Sequence, residues 1–152
     1  DDAPAWWTSE MPAGPSTGCD LLGLSKRGQL LTIEVKPSNA SANKIAWAPV
    51  QARMYADFFQ GWLDERRGEA ADIITEMISQ QQRVGMRSRG RIPVVDWTAP
   101  VKAVVAIDRR SSPTALGRLK EVLDHYESIG IPIHADVKLV DLIGRMHSFH
   151  HA

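Results

Sequence analysis

Two acidic residues and a lysine, Asp20, Glu34 and Lys36, have side chains that could do chemistry together. Two neighbouring carboxylates repel each other unless a cation lies between them, and hard divalent ions such as Mg²⁺ prefer oxygen ligands. A metal held by Asp20 and Glu34 could activate a water and polarise a phosphate oxygen. The Lys36 ammonium could orient that water or stabilise the negative charge that develops. These are the requirements for hydrolysing a phosphodiester.

A predicted β-hairpin would bring these three residues together. Residues 21–24 and 30–35 are short runs rich in aliphatic and β-branched side chains, which indicates two strands. Residues 25–29 fit a tight turn, with Gly28 where the backbone needs a positive φ. If Ser25 and Gln29 close the turn, the residue numbers of each opposed pair add up to 54, and Asp20 then lies opposite Glu34.

Opposed residues share a face of a sheet, and Lys36 shares it too because it lies two residues beyond Glu34. The helix predicted over residues 49–64 adds two polar side chains. Gln51 and Tyr55 lie four residues apart, so they project from one side of that helix. Gln51 could bond the attacking water or Lys36. Tyr55 could contact a phosphate, brace the helix, or simply pack on the sheet.

These residues resemble the motifs of the PD-(D/E)XK nuclease superfamily. Asp20, the turn and Glu34-Val35-Lys36 match its acid and E-x-K elements, and Gln51 to Tyr55 looks like the Q-x-x-x-Y element of one branch. Cys19 stands where many members have Pro. The resemblance implies that Asp20, Glu34 and the backbone carbonyl of Val35 hold Mg²⁺ or Mn²⁺, with Asp20, Glu34, Lys36, Gln51 and Tyr55 as catalytic residues.

The resemblance also implies an α/β fold, with a mixed central β-sheet flanked by helices in a restriction-endonuclease-like arrangement of hairpin, helix and strand–helix–strand. Residues 1–18 contain prolines at positions 4, 12 and 15 and are predicted to be an irregular N-terminal lead-in. Residues 19–152 are predicted to form a single nuclease-like domain. Because the family core begins with a helix, we expect a fragment of a longer protein whose upstream helix or domain precedes Asp1.

Further elements are predicted from apolar periodicity and turn residues. Helices are expected over residues 70–82 and from Ser112, the predicted cap, to Gly130. The large apolar residues of the helix over 49–64 are expected to form its buried stripe. Strands are expected over 92–97, 101–107 and 131–140, with the last two forming a parallel crossover. The tail after residue 140 is expected to add a short helix.

Four arginines, Arg83, Arg87, Arg89 and Arg91, lie within nine residues without an intervening acid. Arginine binds phosphate oxygens in a fork, so this segment is the predicted nucleic-acid-binding loop. A solvated basic loop is the alternative. The 152-residue chain has zero formal net charge, so any nucleic-acid contact must come from such a local patch.

The sequence therefore predicts a metal-dependent nuclease, with DNA as the expected substrate and repair, restriction or defence as its setting by resemblance. The one cysteine excludes an intrachain disulfide and fits the cytoplasm. No apolar run reaches the roughly 20 residues of a membrane span. A homodimer or a larger complex is a candidate assembly. Two alternatives stay open: an inactive nuclease-fold module that binds nucleic acid or protein, and an unrelated α/β domain with a solvated Glu34 and Lys36.

Overall fold

The computed structural model describes residues 6–7, 18–84 and 93–141, together with the short strand at 146–148. The strands are β1 (Leu21–Leu24), β2 (Leu30–Lys36), β3 (Lys102–Asp108), β4 (Ala135–Val140) and β5 (Met146–Ser148); the helices are α1 (Ala42–Ala46), α2 (Ala48–Glu65), α3 (Arg67–Arg83) and α4 (Pro113–Ser128). None of the helices in these ranges combines the length and apolar character that a membrane span requires.

The strands form one mixed sheet in the order β1-β2-β3-β4-β5. β2, β3 and β4 run parallel, whereas β1 and β5 pair antiparallel at the two edges. The predicted α/β class, with helices flanking a mixed sheet, is confirmed at this level. The hairpin register is confirmed as well, because Leu21 pairs with Ile33 and Leu24 with Leu30.

The hairpin turn is closed as its residues predict. The Ser25 amide donates to the Gln29 carbonyl at 2.9 Å, and Gly28 has a φ of +86°. The Asp96 amide donates to the Gly28 carbonyl at 2.9 Å. The strand predicted over 92–97 is wrong for residues 93–97, which form an irregular segment against this turn. Pro93 has no N–H for a ladder bond, and the segment bonds the turn instead of a strand.

α2 packs on the sheet through small residues as well as part of the expected stripe: Leu63 is buried and Phe59 and Trp62 pack against the core, so the stripe is wrong for Phe58. Ala52 and Ala56 are buried, whereas Phe58 is 61% exposed. The Thr32 hydroxyl donates to the Ala52 carbonyl at 3.2 Å, a contact that requires the helix backbone to lie close to β2. Alanines at the contact permit that approach because they add no bulk between helix and strand.

α4 connects two neighbouring parallel strands, as predicted. The Ser112 hydroxyl accepts from the Ala115 amide at 3.2 Å, and Gly130 has a φ of +73° just beyond the helix end. The following strand begins at Ala135, later than expected. In the tail, the short helix is wrong for Met146–Ser148, which extends the sheet beside β4.

The described part of the N-terminal lead-in is docked on the domain. Trp7 is only 8% exposed and packs edge-on against Trp47 with ring centroids 5.0 Å apart. Trp6 donates from its indole to Glu121 of α4 at 3.0 Å. The two tryptophans thus tie the segment before the hairpin to α1 and α4.

Gly28 tests how strongly the turn geometry is required. A Cβ at this position would lie 2.0 Å from the Val94 carbonyl oxygen, in addition to the positive φ. We expect Gly28→Ala to lower the free energy of unfolding by at least about 2 kcal/mol in urea titrations. The matched control is Gly117→Ala in α4, where nothing lies within 4 Å of the new Cβ. Equal stability of the two variants would contradict this account of the turn.

Candidate functional site

Glu34 and Lys36 project from β2 toward α2 and are buried together. Alternate residues of β2 are buried from Leu30 to Lys36, and Glu34 and Lys36 are 4% and 9% exposed. The Lys36 ammonium forms an ion pair with Glu34 Oε1 and donates to Gln51 Oε1 at 3.2 Å. Gln51 thus reaches the lysine from the first turn of α2, one of the two roles expected of it.

The Asp20 side chain contacts β2 at the edge that β1 leaves unpaired. Its Oδ2 accepts a hydrogen bond from the Val35 amide at 2.7 Å, in the position that a further residue of β1 would take. The N–H and C=O of one strand residue point to the same side. The Val35 carbonyl therefore faces the edge where the exposed Asp20 carboxylate lies. Two carboxylates, from Asp20 and Glu34, and the backbone carbonyl of Val35 accordingly supply oxygen atoms around the end of β2.

An open cleft of about 650 Å³ lies at this end of β2. It is lined by Asp20, Glu34, Val35, Lys36, Pro37, Asn39, Ala40, Ser41, Lys44 and Gln51. Glu34 Oε2 is buried and has no hydrogen-bond partner among the described residues. A buried carboxylate oxygen without a donor is unfavourable. The cleft therefore contains an acceptor that a cation or a hydrogen-bond donor would satisfy.

The thiol of Cys19 lies close enough to the two acids for their charges to affect its pKa. Burial raises the pKa of its thiol, and the negative charges of Glu34 and Asp20 raise it further. The thiol is therefore protonated at neutral pH, a poor metal ligand and a poor nucleophile. Glu34 is paired with Lys36, so Asp20 is the acid of the cleft without an ion-pair partner among the described residues.

The structure separates Tyr55 from the cleft. Tyr55 is 6% exposed, and it is not among the residues that line the cleft. Its burial in α2 agrees with the packing role that the sequence left open. A phosphate contact by Tyr55 has no support in this arrangement.

The predicted basic loop falls mostly outside the described residues, which exclude Arg87, Arg89 and Arg91. Arg83 is the last residue of α3 and forms an ion pair with Glu76 at 2.5 Å. This pair lowers the pKa of the Glu76 carboxyl. Arg83 therefore has an acidic partner, unlike the free phosphate ligand that the sequence suggested.

One wall of the cleft is formed by the segment that connects β2 to α1. The helix α1 begins at Ala42, earlier than the helix predicted over 49–64, and the Ser41 hydroxyl accepts from the Lys44 amide at 3.4 Å. Asn39, Ser41 and Lys44 all line the cleft. Serine three residues before Lys44 is a helix-cap signal that could have revealed this turn.

Comparison with protein-family models, with curated proteins and with solved structures gives no significant match. Within the described ranges, no three or more His, Cys, Asp or Glu side chains are grouped so that they could hold a metal ion. Among the described residues, Asp20 and Glu34 are the carboxylates that line the cleft, and a metal there would be completed by a backbone carbonyl and water.

The buried ion pair yields a stability prediction. Removing one partner of a buried pair leaves an uncompensated charge, so we expect Lys36→Met to lower the free energy of unfolding by about 3 kcal/mol. Adding Glu34→Gln in the same chain should restore most of that loss. Urea titrations of the two single variants and the double variant measure the coupling.

The exposed lysine of the same cleft is the control. Lys44→Met should change stability by no more than about 0.5 kcal/mol. A loss in Lys36→Met as small as that in Lys44→Met would contradict the paired, buried state of Lys36 and Glu34.

Proposed function

We propose that this protein is a metal-dependent nuclease that hydrolyses phosphodiester bonds, with DNA as substrate, and that its sheet is of the restriction-endonuclease-like type. The observation that carries the proposal is the contact of Lys36 with both Glu34 and Gln51, beside the carboxylate of Asp20. Residues from three motifs that are separated along the chain, Asp20, Glu34 with Lys36, and Gln51, thereby line one cleft. A surface E-x-K sequence without function would not need Gln51 as a partner or the burial of both charges.

The donor set fits Mg²⁺ or Mn²⁺. Mg²⁺ is commonly bound through one or two carboxylates and keeps several waters, so a site with only Asp20, Glu34 and the Val35 carbonyl is sufficient. Glu34 Oε2 supports this fit, because it is a buried acceptor without a partner among the described residues. When bound, such an ion supplies Lewis acidity at the phosphate and makes a water more acidic.

The other catalytic roles would belong to side chains of the protein itself. The Lys36 ammonium lies in a nearly dry position, where a positive charge interacts strongly with charge that develops on a phosphate oxygen or on an attacking water. Gln51 and Glu34 both accept from Lys36, so they fix the direction of its donors. Gln51 also lines the cleft, where its amide could orient a water.

The remaining parts of the proposal rest on the sequence. The zero net charge requires local contacts to DNA, and the segment that contains Arg87, Arg89 and Arg91 is retained as a candidate for them. A cytoplasmic role in repair, restriction or defence, and a homodimer or larger complex, are part of the same hypothesis.

One observation favours a second candidate function, a nuclease-fold module that binds nucleic acid or protein without cutting it. Lys36 is committed to an ion pair with one of the two carboxylates that would hold the metal. A cation bound at Glu34 Oε2 would draw charge from that carboxylate and weaken its attraction for Lys36. A binding module needs no ion there and keeps the pair at full strength.

The test compares cleavage of supercoiled plasmid, linear duplex and single-stranded DNA in Mn²⁺ by the wild type and by Asp20→Asn. Asparagine keeps the shape of the side chain and an oxygen that can accept from the Val35 amide, but removes the charge. We expect the rate of cutting to fall at least about 100-fold.

Asp72→Asn is the control, because Asp72 lies exposed on α3, and its cutting should match the wild type. Cutting by Asp20→Asn at the wild-type rate would contradict the proposed site. No cutting of any of the three DNAs by the wild type would favour the binding module.

A further inference from the structure

α1 presents one charged side chain to the cleft. Asn43, Ile45 and Ala46 are buried, whereas Lys44 between them is exposed and lines the cleft. The helix therefore packs its neighbouring residues into the domain and leaves Lys44 on the cleft wall. Lys44 shares that wall with the neutral polar residues Asn39 and Ser41.

The backbone that carries Lys44 is anchored on several sides. The Ser41 hydroxyl caps the helix start, and the buried Asn43 accepts a hydrogen bond from Arg118 of α4. Trp47, directly after the helix, is 2% exposed and packs against Trp7. These contacts fix the backbone position of Lys44 in the cleft wall, so a ligand would have to order only its side chain.

The Lys44 ammonium also has no partner among the described residues. Among the described residues it has no carboxylate within ion-pair distance and no hydrogen-bond acceptor. Several other described cations are paired with acids, such as Arg53 with Asp57 and Lys102 with Asp136. Lys36, the other cation of the cleft, is paired with Glu34. Lys44 is therefore the cleft cation whose charge is available to a ligand.

We propose that Lys44 binds a phosphate group of the nucleic-acid strand adjacent to the phosphate at Asp20, Glu34 and Lys36. This inference rests on the proposed function and names the residue that positions its substrate. An ammonium–phosphate contact is a charge-assisted hydrogen bond, and Asn39 and Ser41 add neutral polar groups on the same wall. Lys44 acts in binding, and the chemistry belongs to the residues at the end of β2.

The experiment measures binding of a fluorescein-labelled 12-nucleotide single-stranded DNA by anisotropy, in an Asp20→Asn background that should not cut it. Adding Lys44→Met should weaken binding about five- to tenfold and reduce the slope of log K against log salt by about one, as expected for one lost phosphate contact. Adding Lys44→Arg should leave affinity within about twofold. Lys26→Met is the matched control, because Lys26 is exposed in the hairpin turn at the opposite end of β2.

In the otherwise wild-type chain, Lys44→Met should raise KM about five- to tenfold and leave kcat within about twofold. Unchanged affinity on Lys44→Met, an equal loss on Lys26→Met, or no binding of the oligonucleotide by the parent at low salt would each overturn the proposal. These failures differ from failure of the proposed function, which would appear as no Asp20-dependent cutting. A chain that cuts normally but is indifferent to Lys44→Met would disprove the role of Lys44 alone.

Discussion

The ion pair between Glu34 and Lys36 is the constraint on which the surrounding structure depends. Two opposite charges that are 4% and 9% exposed must be compensated by each other and by further hydrogen bonds. Gln51 supplies one such bond from α2, and the strand register determines that both charges face that helix. A well-packed apolar pair would stabilise the fold at least as well. Stability alone therefore does not explain why the Glu34–Lys36 ion pair lies at this end of the sheet.

The elements around the pair have the shapes needed to bring its partners close. α2 approaches β2 through Ala52 and Ala56, so that Gln51 reaches Lys36 and the Thr32 hydroxyl reaches the Ala52 carbonyl. On the other side, β1 begins only at Leu21, which leaves the amide of Val35 for the Asp20 carboxylate. The exposed Asp20 and the buried Glu34 therefore both line the cleft at this end of β2.

Much of this arrangement could be predicted because local chemistry determines it. The turn at Gly28 fixes the hairpin register, and the register alone brings Asp20 to the end of β2 beside Glu34. On α2, the apolar spacing correctly indicated Leu63, Phe59 and Trp62, but it also included the exposed Phe58 and left out Ala52 and Ala56, because close helix–sheet contact selects small side chains that this spacing does not identify. The path of residues 93–97 was missed because it is set by a tertiary hydrogen bond to Gly28 rather than by local propensity. Lys44 was overlooked because α1 is a five-residue helix buried by contacts distant in sequence.

Binding of Mn²⁺ at the end of β2 can be tested by soaking crystals of the wild-type chain in Mn²⁺ and recording anomalous diffraction to locate the ion. We expect a Mn²⁺ peak in the cleft within bonding distance of Asp20, Glu34 and the Val35 carbonyl oxygen, and no such peak in Asp20→Asn. Saturating Mn²⁺ with no peak between these two carboxylates, or with the Glu34–Lys36 pair unchanged and the ion elsewhere, would contradict this expectation.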